Sequence, residues 1–251
     1  MLTRGLAPMA VFALLVAVWE VYCRLSAVSA LILPPPSGVV RALVLNWDEI
    51  GGHAMATALV AGFGFALSVG FAFVLSVLLH AAPRVERALM PIFVASQTVP
   101  LVALAPLMIL WFGFGLLPKV LLVILVTFLP ILMSLLAGYA QTPRAFLDLL
   151  TSMGAGRWGL FRRAVLPCAR ESFLAGLRIS GTYAIVATIF AEYAGARQGL
   201  GIYILAAKNS FRADLVLAAV VMSACLTLAL LGLVRGIDRI TARGPRERRD
   251  A

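Results

Sequence analysis

Long apolar stretches separated by short polar segments dominate the chain. A hydrocarbon core needs roughly 20 apolar residues for each helical crossing. Six stretches approach this length, at about residues 6–24, 57–79, 94–112, 117–138, 172–195 and 215–235. The second and sixth stretches contain no charged residue between Thr57 and Leu79 or between Leu215 and Val234. The pattern predicts an all-α membrane protein with about six transmembrane helices.

The longest polar interruption runs from Thr142 to Pro167, and we call it the elbow. Its first half has helical periodicity, with apolar residues at i, i+3, i+4 and i+7 that share one face. These residues are Phe146, Leu149, Leu150 and Met153. Thr142 can cap the start of this helix, and Pro143 suits its first position. Gly154 and Gly156 should end it, because glycine adopts a left-handed turn at low cost.

A second short helix is expected in the rest of the elbow. Trp158, Phe161 and Val165 fall on one side of it, and Arg162–Arg163 on the other. Leu166–Pro167 should end it. The apolar face of a helix-turn-helix between two membrane spans must be buried, and we expect a partner protein to supply part of the cover.

Composition and charge support a membrane protein. The 251 residues are 62% hydrophobic and 13% charged, with a mean hydropathy of +1.01, which excludes an ordinary soluble domain or a disordered chain. The net charge of +10 is unevenly distributed. If the N-terminus is cytoplasmic, fifteen of the 21 basic residues lie on the cytoplasmic side. This positive-inside bias indicates orientation, with both termini cytoplasmic, rather than nucleic-acid binding.

Polar residues near the first two stretches support only modest predictions. Glu20 could line a polar seam or lie at the membrane interface, and we favour the interface. Three prolines, 34–36, force an extended turn, and Ser37 can cap a short interfacial helix with an anchoring role. His53 and His80 have no partner in the sequence, so we treat them as incidental.

The third stretch contains two prolines, Pro100 and Pro106. Each removes an amide donor and clashes with the preceding turn, so the helix should bend and expose carbonyl groups. Such groups are tolerated in a membrane only where protein or a water-filled cavity satisfies them. Gln97 and Thr98 lie beside the first break. These residues could line a translocation pathway, or the helix could simply be kinked against its neighbours.

The fifth stretch contains Glu192, an ionisable group at or near bilayer depth and therefore a candidate functional residue. Polar neighbours accompany it on the same stretch, namely Thr182, Tyr183 and Thr188. Glu192 could line a pathway, or it could form a structural pair, for example with Arg197. Residues 196–204 should form a glycine-hinged external loop.

Several kinds of chemistry are missing from the sequence. The only lysines are Lys119 and Lys208, preceded by Pro118 and Ala207, so the phosphate loop G-x-x-x-x-G-K-[ST] is absent. No H-E-x-x-H, G-x-S-x-G or clustered His/Cys set occurs, and three scattered cysteines suggest neither a metal site nor a disulfide framework. We therefore expect a non-catalytic protein without its own cofactor or metal. Active transport would need energy from another subunit or an ion gradient.

The elbow resembles the cytoplasmic EAA loop of permease subunits of binding-protein-dependent ABC importers. That loop reads Glu-Ala-Ala, three residues, Gly, nine residues, Ile, one residue, Leu-Pro. Asp148 takes the place of the glutamate, Leu149–Leu150 replace the alanines, and Gly154 matches the glycine. Ala164 stands at the isoleucine position, and Leu166–Pro167 match the end. The shorter Asp148 and the bulkier leucines depart from the pattern.

The resemblance extends over about residues 30–240. The segments ILPPPS, QTVPLVALAPLMILWFGFGLLPKVL and AEYAGARQGLGIYI are similar to the subgroup importing nitrate, sulfonates, taurine, pyrimidine precursors or riboflavin. It implies a type I importer permease fold in the bacterial inner membrane. It also implies a second permease copy, two cytoplasmic ATPase subunits that bind ATP and Mg²⁺, and an external solute-binding protein. Which solute is carried stays open.

The resemblance also implies site residues. The ATPase-coupling set is Phe146, Asp148, Leu150, Met153, Gly154, Arg157, Phe161, Leu166 and Pro167. Asp148 and the arginines Arg157, Arg162 and Arg163 could pair with the ATPase, or the arginines could only orient the chain. The apolar members could anchor the ATPase or pack on the permease itself. The candidate pathway set comes from the residue pattern itself and is Gln97, Thr98, Pro100, Pro106, Tyr183 and Glu192.

Three parts of the chain follow from this reading. Residues 1–53 form an N-terminal span with an external turn and helix, residues 54–236 the permease domain, and residues 237–251 a basic cytoplasmic tail. Two other classes remain open as alternatives, an ion-coupled secondary carrier and a non-transporting membrane scaffold.

Overall fold

The computed structural model describes residues 3–26, 28–29 and 31–241, and nothing but helices and their connections is found among them. The basic residues Arg243, Arg246, Arg248 and Arg249 of the predicted tail lie outside the described residues. The helices are α1 (Thr3–Leu25), α2 (Pro36–Leu45), α3 (Trp47–Ala81), α4 (Pro83–Ser96), α5 (Leu101–Phe112), α6 (Leu116–Ala140), α7 (Arg144–Ser152), α8 (Arg157–Leu160), α9 (Leu166–Cys168), α10 (Arg170–Tyr193), α11 (Leu200–Asn209) and α12 (Ala213–Thr241). A π-helical turn, Phe161–Val165, joins α8 to α9.

All six predicted stretches fall on helices. Four helices in the described part of the chain, α3, α6, α10 and α12, are long and apolar enough to cross a membrane. The pair α4 and α5 makes a fifth if it counts as one broken span, because its two helices are bent by 99°. The first predicted stretch lies on α1, a 23-residue helix that is not among these. The all-α prediction is confirmed, and the third stretch is a broken pair rather than one kinked helix.

Several predicted boundaries were wrong. The 35-residue helix α3 begins at Trp47, before the predicted stretch, and two acids in its first turn favour that start. Residues 81–90, which separate the second and third stretches, lie largely in α4, and the predicted loop 196–204 already contains the start of α11. The division into three parts stays a prediction, although its boundaries at residues 53 and 237 fall inside α3 and α12.

Glu20 connects α1 to α2. Its carboxylate accepts hydrogen bonds from the Ser37 amide at 3.0 Å and the Ser37 hydroxyl at 2.8 Å, and Arg24 Nε donates to it at 2.7 Å. The prediction that Ser37 caps α2 was wrong, because Pro35 occupies the cap position and Ser37 lies inside the helix. The Ser37 hydroxyl bonds across to α1 instead.

Helix α6 is the centre of the bundle and packs most extensively against α10 and α3. Three buried polar residues join these helices. Thr127 Oγ1 of α6 lies 2.7 Å from Ser68 Oγ of α3, and the Ser180 hydroxyl of α10 donates to the Thr127 carbonyl at 2.7 Å. In a bilayer core such groups need partners inside the protein, so these bonds fix the three helices relative to one another.

The three helices also approach closely at small residues. A Cβ atom added to Gly176 of α10 would lie 2.7 Å from Ser134 Cβ of α6, and one added to Gly64 of α3 would lie 2.9 Å from Val123 Cβ. Small residues allow this closeness, which membrane helices use to gain van der Waals contact.

The bundle has two ends. The elbow end is where α3 and α6 finish and α10 starts, next to the elbow. The far end is where α3 and α6 start and α10 finishes. Each of these three helices therefore reaches from one end to the other.

Close packing at Gly176 generates a stability prediction. Gly176→Ala should lower the free energy of unfolding by roughly 1–3 kcal/mol, because the new methyl group overpacks the contact between α10 and α6. The matched control is Gly70→Ala on α3, where an added Cβ meets nothing within 4 Å. Thermal unfolding of both variants in detergent checks this. Equal midpoints for the two variants would contradict the packing described here.

Candidate functional site

The elbow begins and ends differently from its sequence prediction. The Thr142 hydroxyl donates to the Tyr139 carbonyl at 3.0 Å and so finishes α6, while Pro143 takes the cap position of α7 without a side-chain hydrogen bond. The glycine turn is confirmed, because Gly154 has φ +83° directly after α7. Pro167 does not end a helix. It lies in the first turn of α9, where a missing amide is tolerated, and the helical path continues to Cys168.

The apolar face of α7 is exposed. Neither α7 nor α8 contains a buried residue. Met153 is 74% exposed, Leu149 56% and Trp158 66%, while Phe146 is exposed and Leu150 half-buried. Asp148 and Arg157 also face solvent. The elbow therefore presents a mixed apolar and charged surface that the described part of this chain does not cover.

Phe161 behaves differently from the rest of the predicted coupling set. It is buried, and its ring packs 5.4 Å from that of Tyr139 on α6 and 5.6 Å from that of His80 on α3. Tyr139 is in turn 2.9 Å from the Ser76 hydroxyl of α3. Of the two alternatives for Phe161, docking anchor or packing on the permease, the geometry favours the second. Treating His80 as incidental was wrong, because it helps to hold Phe161.

The break between α4 and α5 borders a cavity. The Gln97 side-chain amide donates to the Leu125 carbonyl of α6 at 2.8 Å, and the Thr98 hydroxyl donates to the Ala95 carbonyl at 2.8 Å. A cavity of about 360 Å³ lies between the break, α6 and α10. Gln97, Thr98, Pro100 and Tyr183, four of the six candidate pathway residues, line it together with apolar residues of α6 and α10. Pro106 and Glu192 do not.

Glu192 is fully buried at the far end, where it binds the start of α11. The Thr57 hydroxyl lies 2.9 Å from Oε1 of Glu192, and the Gly201 amide donates to Oε2 at 2.8 Å. The Leu200 amide donates to Thr57 Oγ1 at 2.7 Å. Both amides belong to the first turn of α11, whose N–H groups have no helical partner and favour a negative charge. Glu192 and Thr57 therefore secure the N-terminus of this helix.

Two glycines permit this contact. Gly199 has φ +133°, and a Cβ atom added to it would overlap the Glu192 carboxylate. A Cβ on Gly201 would lie 2.7 Å from Glu192 Cβ. The Gly199 amide also donates to His53 Nδ1 at 3.1 Å, so treating His53 as incidental was wrong. We call the set His53, Thr57, Glu192, Gly199 and Gly201 the clamp.

The clamp bears on the two alternatives left open for Glu192, a pathway residue or a structural pair. Its hydrogen-bond partners are Thr57 and Gly201, not Arg197, and it does not line the cavity at the break. Thr182 and Thr188, expected to be its polar neighbours, donate to carbonyls of their own helix. The geometry favours a structural role with different partners. The sequence signal that was missed is the G-x-G motif that follows Glu192. Glycine has no side chain, so it lets an acidic side chain approach the backbone closely.

Comparison with known proteins gives the chain its class. Residues 64–243 match the family model "Binding-protein-dependent transport system inner membrane component". The chain is 33% identical to the formylaminopyrimidine transport permease protein of Halalkalibacterium halodurans, over 94% of this chain and 95% of that one. It is 35% identical to the riboflavin transport system permease protein of Chloroflexus aurantiacus, over 92% and 87%. It is 33% identical to the taurine transport system permease protein of Escherichia coli, over 90% and 85%.

A solved structure shares the fold. The inward-facing MetNI methionine ABC transporter matches with a TM-score of 0.58 at 17% identity, over 78% of this chain and 97% of that one. The chain thus has the type I importer permease fold, and it belongs to the family of inner-membrane components of binding-protein-dependent transport systems. It is a membrane-spanning permease subunit of an ABC importer.

The clamp generates the second prediction. Thr57→Val should lower the free energy of unfolding by about 1–3 kcal/mol, because the Leu200 amide loses its acceptor and Glu192 loses a donor. Thr57→Ser keeps the hydroxyl and should stay close to the unchanged protein. Thr182→Val, on the exposed face of α10, is the matched control. Thermal unfolding compares the three. A Thr57→Val midpoint equal to that of Thr182→Val would contradict the clamp.

Proposed function

We propose that this chain forms the translocation pathway for a small solute that an external binding protein delivers, and that a separate ATPase drives it through the elbow. The observation that carries the proposal is the uncovered face of α7 and α8, where Leu149, Met153 and Trp158 are largely exposed beside charged residues. A short amphipathic helix of this kind suits docking in a groove of a partner. ATP and Mg²⁺ would bind to the ATPase, and this subunit would be non-catalytic.

The attachment of the elbow to the membrane spans supports a role in coupling the ATPase to those spans. Phe161 of the elbow packs against the ends of α3 and α6, so a push on α7 and α8 would reach both helices through packed side chains. Docking could then bias two arrangements of the spans, as alternating access requires. Asp148 would pair with a basic group of the ATPase, and Arg157, Arg162 or Arg163 with acidic ones.

A second copy of this chain is the partner we propose inside the membrane. Helix α4 has no buried residue and α5 has only Ala105, although together they form a broken span. Val102, Leu110 and Trp111 of α5 are all more than half exposed. Backbone groups that lose their helical hydrogen bonds at a break are tolerated at membrane depth only where they are buried in protein or line a water-filled cavity. A homodimer would enclose this pair, with both termini in the cytoplasm as the arginine distribution indicates.

The names of the relatives suggest the chemical classes from which the transported solute would come. Their names state transport of a formylaminopyrimidine, riboflavin and taurine. We propose a small heteroaromatic compound or an oxyanion such as a sulfonate or nitrate. The cavity at the break is lined by Gln97, Thr98 and Tyr183 among apolar neighbours. These side chains would offer neutral hydrogen-bonding groups to the solute as it passes.

The two alternatives have less support. A secondary carrier needs an ion-coupling charge on the pathway, and the only good candidate, Glu192, is instead bound to Thr57 and Gly201. A scaffold has no use for a cavity beside a 99° break. Uptake by cells from which the partner ATPase gene is deleted separates these classes, because persistence of solute uptake would support a carrier and overturn the proposal.

Substitutions in the elbow test its coupling role. Gly154→Val should abolish ATP-driven uptake while membrane insertion persists, because valine is strained at φ +83° and the elbow would change shape. Gly156→Val is the matched control, since Gly156 has φ −73° and an added Cβ meets nothing within 4 Å. Uptake and membrane-inserted protein are measured together. Normal uptake by Gly154→Val would show that the turn at Gly154 is not needed for coupling and would contradict the prediction.

The charge on α7 has its own test. Asp148→Lys should abolish uptake by reversing the charge presented to the ATPase, whereas Asp148→Glu should retain it. The ATPase activity of the transporter, assembled with its binding protein, is a second measure of the same coupling that does not depend on solute uptake. If Asp148→Lys transports normally, the proposed pairing of Asp148 is wrong.

A further inference from the structure

A second and larger cleft opens at the far end of the bundle. Its volume is about 940 Å³, and it lies between the start of α3, the turn that precedes α6, and residues 195–198 after α10. Two basic residues line it, Lys119 of α6 and Arg197, together with Gln198, and no acidic residue is in the lining. The chain has only two lysines, so one of them lies in this cleft.

Neither basic residue is neutralised by a direct ion pair within the described part of the chain. The salt bridges found there join Arg24 to Glu20, Arg170 and Arg178 to Asp238, and Arg212 to Asp214. Glu192 is close enough to interact electrostatically with Lys119. However, its oxygens are held by Thr57 and the Gly201 amide, and Glu192 is not in the cleft lining. The cleft therefore keeps a positive potential.

The backbone adds to this potential. Gly115 lines the cleft and is the residue that precedes the first turn of α6, a helix of 25 residues. The N-terminal end of a helix carries a partial positive charge and amides without helical partners. Lys119 lies in the same first turn. A lysine, an arginine and a helix N-terminus thus converge on one cleft.

The clamp gives the cleft a fixed wall. Residues 195–198 connect α10 to α11, and the clamp holds both sides of this connection, through Glu192 before it and through the Gly199 and Gly201 amides after it. Phe114 closes on Gly195 from the other wall, since a Cβ on Gly195 would contact its ring. Arg197 is therefore carried by a short segment anchored at both ends, which reduces the ordering cost of binding.

We propose that this cleft binds the anionic group of the transported solute, a carboxylate, sulfonate or phosphate, between Lys119 and Arg197 as the solute enters the permease. The inference rests on the proposed translocation function and narrows its solute class to anions. Arginine presents a planar fork that matches the oxygens of such groups, and lysine adds a point charge. The shape of the cleft leaves the rest of the solute against Ala56, Val60 and Phe114.

Anion binding by the purified full-length chain in lipid nanodiscs tests the proposal. Methanesulfonate is the probe, and neutral dimethyl sulfone of similar shape is the reference, both at constant ionic strength. Methanesulfonate should raise the unfolding midpoint in a saturable manner, and dimethyl sulfone should not. Lys119→Gln and Arg197→Gln should each weaken the apparent affinity by about tenfold or more. Arg197→Lys, which retains the charge, should weaken it less.

The control is Lys208→Gln, which removes an exposed lysine of α11 outside the cleft lining and should leave the response unchanged. The absence of any response to methanesulfonate, acetate and phosphate would overturn the proposal. So would an unchanged response in the Lys119→Gln, Arg197→Gln double variant, because the anion would then bind elsewhere. If the double variant kept its anion response but lost association with the binding protein in a separate pull-down, the cleft would be a docking surface and the proposal would be wrong. The assay contains neither ATPase nor ATP, so its failure is distinguishable from failure of the elbow mechanism.

Discussion

The need to pair buried serine, threonine and glutamate side chains inside the bilayer organises this structure. Serine, threonine and glutamate side chains occur within or next to the spans, and the buried ones find partners on a neighbouring helix or on their own backbone. The bonds between Ser68, Thr127 and Ser180 cross the middle of α3, α6 and α10. The bond between Ser76 and Tyr139 ties α3 to α6 nearer the elbow. Because separating these helices would leave polar groups unpaired, the three should behave as one rigid unit.

That unit connects the elbow to the far-end cleft. Helix α3 carries Thr57 of the clamp at one end and His80 beside Phe161 at the other. Helix α6 carries Lys119 at the far end and Tyr139 at the elbow end. A displacement of the elbow would therefore tilt the far-end cleft as well. The broken pair α4 and α5 is packed thinly against this unit, since only Ala105 is buried along it.

The sequence predicted the helices well and their partners poorly. Hydropathy alone located the membrane stretches, because length and apolar character are local properties. Pro100 and Gln97 correctly marked the break, although not its 99° bend, whereas Pro106 lies inside α5, which continues past it. His53 and Glu192 are 139 positions apart, and no local pattern connects them. Ser37 and Thr142 look like helix caps by residue type, yet the Ser37 hydroxyl bonds to Glu20 of α1 and the Thr142 hydroxyl to the Tyr139 carbonyl at the end of α6.

One distance measurement tests the rigid unit most directly. Spin labels would be attached at Met55→Cys, on the exposed far end of α3, and Ala140→Cys, at the elbow end of α6. The background cysteines to be replaced are Cys23, Cys168 and Cys225. One labelled subunit in an otherwise unlabelled transporter is compared without nucleotide and with nucleotide trapped. The account predicts the same distance distribution in both states, and a clear shift between them would show that α3 and α6 slide or bend and would contradict it.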